Sequence, residues 1–208
     1  MNKLVEGLMT KLWQPKIWLI AAIIVFLVQL FVPAYMIAEQ QQTLKHGELY
    51  KFKIRPIDPY DPFRGRYVTL SFDAERDAFV LDGEKDSPPL QRNDWVYAKL
   101  IKDQEGFAKF SGLTLAPPSN GNDYLRLQVR YRSSNDQYHI NIPFDRYYAP
   151  DNKAYAIETN VRQRTRRNSD DQVYVAVKIR KGKGTIEDLL INEVPILQFV
   201  ENQQGRTD

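Results

Sequence analysis

The chain of 208 residues contains no cysteine. That removes disulfides, thiolate nucleophiles and cysteine-based zinc sites together. There are only two histidines, His46 and His139, far apart and without neighbours at ligand spacing. A metal site needs three or four convergent donors, so each reads as a solvated or packed histidine, and no cofactor is expected. Net charge is also small, at +3. Lys3, Lys11 and Lys16 against Glu6 put +2 of it in residues 1–38, leaving +1 for the rest. Such a weak field does not suit dedicated nucleic-acid binding, which works by displacing counterions. The lack of cysteine is compatible with a bacterial periplasm and does not by itself fix the compartment.

What the chain does have is one long apolar run. Ile17 to Ala38 holds no charged side chain. As a helix its 22 residues span about 33 Å, against a hydrocarbon core of about 30 Å. Trp13 and Trp18 at one end and Tyr35 at the other suit the two interfaces. Gln29 can bond a second membrane helix or its own backbone, and Pro33 lies where a kink or an early end is tolerated. Three lysines precede the run, while only Glu39 and Lys45 follow closely. The positive-inside rule then expects residues 1–16 in the cytoplasm, a single-pass signal anchor at 17–38, a linker at 39–47 and everything beyond outside. A cleaved signal peptide is the alternative. Its apolar region is normally shorter, and Met36-Ile37-Ala38 is a poor cleavage site.

From Glu48 the pattern changes to period two. Tyr50, Phe52 and Ile54 alternate with Leu49, Lys51 and Lys53, as in a half-buried strand. Similar runs at Arg66–Phe72, Asp94–Ile101, Phe107–Leu115, Tyr124–Tyr131, Tyr138–Ile142, Val173–Ile179 and Thr185–Ile191 are separated by Gly, Asn, Asp and Pro turns. The fold expected is mainly β, an antiparallel domain over 48–196 with a polar tail at 197–208. One helix is expected after Pro150, with Asp151 as its cap and Ala154, Ile157 and Val161 on one face. Arg162, Arg164, Arg166 and Arg167 crowd its end; they read either as an anion contact or as a solvated helix terminus.

An internal repeat is also legible. At an offset of 78, Ala98, Ile101, Lys102, Gly106, Leu113 and Pro117 fall on Ala176, Ile179, Arg180, Gly184, Ile191 and Pro195. Pro62 to Tyr67 resembles Pro143 to Tyr147. The units would be 48–118 and 123–196, two related β units with one short helix between their strands.

The densest unusual segment runs from Arg55 to Phe72, with Pro56, Asp58, Pro59, Asp61, Pro62, Arg64, Gly65 and Arg66 in its first half. As physics it is a stiff, polar strand connection: the prolines restrict it, the aspartates cap turns or pair with arginine, and Gly65 tolerates a positive φ. Arg64 is expected to clamp Asp58 or Asp61, and Arg66 to face outward. The segment resembles the GDYXXLXY domain family of membrane-anchored Gram-negative proteins, whose leading pattern is matched here by Pro56, Asp58, Pro59, Asp61, Arg64, Gly65, Tyr67, Val68 and Leu70. Tyr147, Tyr148, Pro150 and Glu158 approximate a later family pattern. Two positions depart from it: Arg66 stands where the family has Asp, and Phe72 where it has Tyr. The resemblance implies no carried-over activity, and it implies a polytopic inner-membrane protein as partner.

The expected function is therefore a non-enzymatic accessory module anchored in the inner membrane, with its domain in the periplasm. Asp58, Asp61, Arg64, Gly65, Arg66, Tyr67, Tyr147, Tyr148 and Glu158 are the docking candidates. The alternatives are an envelope carbohydrate or lipid-headgroup binder using the four arginines, and a Ser/Lys peptidase. The peptidase needs a serine beside a deprotonated lysine, and Ser71 has no such lysine nearby in sequence.

Overall fold

The computed structural model describes residues 15–55, 67–82, 88–119, 123–165 and 170–204. The chain divides into two compact units at Gln42/Thr43. The first is dominated by α1 (Pro15–His46), a helix long and apolar enough to cross a membrane, whose most apolar 18 residues have a mean hydropathy of 2.6 and are not buried. Pro33 lies inside α1 and does not end it. Nor does α1 stop at Ala38, because residues 39–46, expected as a linker, carry on the same helix.

The second unit is β-rich and antiparallel. Its strands are β1 (Glu48–Lys53), β2 (Tyr67–Thr69), β3 (Trp95–Lys102), β4 (Ala108–Thr114), β5 (Tyr124–Arg132), β6 (Tyr138–Asn141), β7 (Arg146–Tyr148), β8 (Val173–Arg180), β9 (Lys183–Ile191) and β10 (Val194–Pro195). Two four-stranded sheets have the orders β1-β8-β9-β10 and β4-β3-β5-β6, and β2 pairs with β7 as a two-stranded ribbon. The period-two pattern does what it should: Tyr50, Phe52 and Ile54 point inward from β1, as do Val96, Ala98 and Leu100 from β3. β8 departs from it. Val173 to Val177 are buried on both faces, which fits its place between β1 and β9.

The two β units exchange their first strands. β1, from the first unit, lies against β8 of the second, and β5, from the second, lies against β3 of the first. The starts of β1, β2, β3 and β4 (48, 67, 95, 108) and of β5, β7, β8 and β9 (124, 146, 173, 183) differ by 76, 79, 78 and 75 residues. Both hairpins carry a register shift at the aligned alanines, between Ala98 and Leu100 and between Ala176 and Val177, so the offset reproduces a bulge and not only a composition. Each hairpin's turn also touches the first strand of its own unit, by parallel bridges Lys51–Phe107 and Leu125–Gly182. The aligned glycines are the exception. Gly106 has φ +83° in a turn, whereas Gly184 lies within β9, and the tight β8–β9 turn is Lys181–Gly182 with φ +50° and +76°. Positive φ at both positions is what a two-residue hairpin requires. Gly182 also packs against the Tyr124 ring, where a Cβ would collide.

Two helices close the domain. α2 (Asp151–Arg164) buries Ile157 and Val161 and half-buries Ala154, on the expected face. Asp151, expected as the cap, is itself the first helical residue and Pro150 precedes it; the fixed φ of proline suits a helix entrance. α3 (Ile196–Gln204) occupies most of the expected polar tail. Ile196 and Val200, four residues apart on one helical face, are buried in the core, and Phe199 packs against it. At the centre of the core Phe52 lies edge-on or tilted against Phe72, Phe110 and Phe144, with ring centroids 5.8, 6.2 and 5.3 Å away.

Candidate functional site: the β2–β7 ribbon and its flanks

The unusual segment is pinched at its base. Ile54 and Phe72 form an antiparallel bridge, and the Arg55 N–H donates to the Ser71 carbonyl at 3.0 Å. Residues 54–55 and 71–72, near the two ends of the segment, are thus neighbours. Asp58, Asp61, Arg64, Gly65 and Arg66 lie outside the described residues, and with them the expected Arg64 clamp and the outward Arg66. The second half of the segment is an inward face: Val68, Leu70 and Phe72 are all buried. Phe72, standing where the resemblance expects Tyr, has its ring against Phe52 and Phe144, a site with no need of a hydroxyl.

The ribbon joins the two related segments. Tyr67 pairs with Tyr148, Val68 with Tyr147 and Thr69 with Arg146. Alternation along β7 gives its two tyrosines opposite fates. The half-buried Tyr147 donates its hydroxyl to Asp188 of β9 at 3.2 Å. Burial first, and the Asp188 carboxylate second, push its pKa well above the ordinary 10.0. Tyr148 instead is 70% exposed, its ring 6.0 Å from that of Tyr67, while the Arg146 guanidinium sits 5.0 Å from the Tyr67 centroid. Two tyrosines and an arginine make an amphipathic surface of the kind enriched at protein interfaces.

Of the remaining candidates, Glu158 is half-exposed on α2 and makes no hydrogen bond or ion pair among the described residues. Arg164 is tied down: it pairs with Asp171 and its guanidinium lies 4.5 Å from the Phe199 ring centroid. Arg162 is half-buried, with Nε unpartnered. Arg166 and Arg167 lie outside the described residues. The described part of the run therefore serves the α2–α3 contact more than it offers a cationic face. His139 stacks on Tyr131 at 4.3 Å, and among the described residues no group of acids and histidines is arranged to hold a metal.

The sequence matches a known family: residues 29–189 fit the model of the GDYXXLXY protein. The chain belongs to the GDYXXLXY family. That span takes in the second half of the membrane-length helix, the ribbon and both hairpins of this GDYXXLXY protein. No curated protein and no solved structure matches it.

One pH effect follows from the ribbon. Burial and the Asp123 carboxylate raise Tyr50 just as burial and Asp188 raise Tyr147. Unfolded, both would ionise near pH 10; folded, both stay neutral to higher pH. The unfolded state then binds fewer protons above pH 10, so stability is complete below it and falls as pH rises further. Melting temperature should drop between pH 10 and 11.5, and the double variant Tyr50→Phe/Tyr147→Phe should show a shallower drop. An equal slope in variant and parent would mean that other groups drive the loss.

Proposed function

We propose that this GDYXXLXY protein is an accessory subunit of a polytopic inner-membrane protein in a Gram-negative envelope, without catalytic activity of its own. In this reading α1 is an uncleaved anchor with its N-terminus in the cytoplasm, and the β domain lies in the periplasm. The lysine asymmetry about the apolar run supports that orientation. The observation that carries the docking reading is the surface of exposed Tyr148 and Arg146 about the half-buried Tyr67, placed where the two segments that carry the family resemblance meet. Ring faces and a guanidinium on a short, rigid ribbon offer contact area at small entropic cost.

Alkaline phosphatase fused after Asp208 should be active and a cytoplasmic reporter at the same point silent. A photo-crosslinking residue at position 148 should capture a polytopic membrane protein from native membranes, and one at Lys181 should not. Tyr148→Ala should weaken capture about thirty-fold, the equivalent of about 2 kcal/mol for an interface hot spot. Equal capture from positions 148 and 181, or capture unchanged by Tyr148→Ala, would remove the ribbon as the docking surface.

A further inference from the structure

A cleft of about 310 Å³ opens beside the ribbon, and most of the residues that line it are polar or charged. It draws on Arg55 after β1, Thr69 and Ser71 around the end of β2, Arg92 before β3, and Arg130 on β5. Leu70 and Val129 also line it, but both side chains are buried in the core, so their contribution is main chain.

The charges in this cleft do not cancel. Two carboxylates reach it, and both are already engaged. Glu75 accepts the Phe72 N–H at 3.3 Å and the Ile142 N–H at 3.0 Å, with Arg55 4.0 Å away. Asp145 lies 3.7 Å from Arg146. Arg92 and Arg130 have no carboxylate partner among the described residues. The larger groove near Lys53 shows the contrast. There Lys53 meets Glu105, Arg76 meets Asp73 and Lys109 meets Asp103, each within 4.0 Å, and Asp77 leaves the acids in excess, so every cation has a carboxylate.

Arg92 is also held in place. It sits in a turn closed by Asp94 N–H to the Gln91 carbonyl and by Gln91 N–H to the Asp94 carboxylate. Asn93, at φ +72°, donates its N–H to the Val129 carbonyl, and the Val129 N–H returns to the Asp94 carbonyl. The turn is thereby fastened to β5 next to Arg130. Two guanidiniums that line one cleft without acid partners favour an anion there, and the guanidinium fork matches phosphate geometry. Ser71, Thr69 and Asn141 supply neutral hydrogen-bonding groups around it. The volume is at the small end of ligand sites.

We propose that this cleft binds a small phosphorylated polyol, its phosphate on Arg92 and Arg130 and its hydroxyls on Ser71, Thr69 and Asn141. The site stands independently of the docking ribbon. The same chemistry occurs in a soluble glycerol-type phosphate ester and in a phospholipid headgroup.

The full chain in detergent micelles would be titrated calorimetrically with glycerol 3-phosphate and with dihexanoyl phosphatidylglycerol, whose headgroup keeps its free glycerol hydroxyls, with glycerol as the blank. Saturable binding of at least one phosphate ester is expected, weakening as salt is raised. Arg92→Gln and Arg130→Gln should each weaken it at least tenfold while melting like the parent, since both side chains are exposed. Arg132→Gln, whose guanidinium is paired with Asp136, should leave it unchanged. Tighter binding of the dihexanoyl ester assigns the site to lipid headgroups, and equal binding assigns it to the free ester. No saturable binding at millimolar concentration, or undiminished binding by the double variant Arg92→Gln/Arg130→Gln, overturns the proposal.

Discussion

Phe52→Ala should destabilise the β domain by about 3–5 kcal/mol, the range for removing a fully buried phenylalanine. The side chain has no exposure and touches three other rings, Phe72, Phe110 and Phe144. These come from both units, so the void would open where the two sheets share their core and where neighbouring rings cannot collapse without moving strands. For a domain of this size each kcal/mol shifts melting by about 2–4 °C, so a fall of about 6–20 °C is expected. Phe52→Leu, which keeps most of the volume, should lose well under half as much. A Phe52→Ala variant melting within 2 °C of the parent would show that the ring cluster is not the centre of the core.

The second large effect concerns the exchange of strands. Residues 43–119 and 123–204, produced separately, should each fail to fold, and produced together they should restore the domain. The first half contains β3 and β4 but lacks β5, the strand that covers β3; the second contains β8 and β9 but lacks β1. Each half alone would expose a long unpaired edge and half of a shared core. Dispersed amide resonances in the mixture, and collapsed spectra from either half alone, is the expected result. A well-dispersed spectrum from one half by itself would mean that the units are separate small domains.

Much of this architecture was legible from residue patterns. Strands such as β1 and β5 announced themselves because one face is core and the other solvent, and that difference is what period-two alternation records. β7 escaped notice because Arg146-Tyr147-Tyr148 is three residues long and both tyrosines look alike in a sequence; only pairing with β2 separates the Asp188-bonded ring from the exposed one. α3 escaped because its polar residues, Gln198, Glu201, Asn202 and Gln203, dominate a stretch whose few apolar positions are buried. The arginine cleft was out of reach for a different reason. Arg55, Arg92 and Arg130 are scattered over 75 positions and converge through β2 and the pairing of β3 with β5, which no local pattern encodes. Ser71, considered as a nucleophile, is found in that cleft among arginines, with no lysine among the described residues that line it.

The exchanged strands also bear on how such a domain could arise and diverge. Two copies of a shorter chain related by a two-fold axis would swap first strands in this way, and their β2 segments would meet antiparallel on the axis, as β2 and β7 do. In a homodimer every change on one face is forced on the other. Fusion into one chain frees the copies from that symmetry. The stretch after β2 holds a 3-10 turn at Asp73–Glu75, whose Glu75 carboxylate reaches the cleft, while the corresponding stretch after β7 holds α2. The two halves thus differ at a place where the members of a symmetric pair would have to agree.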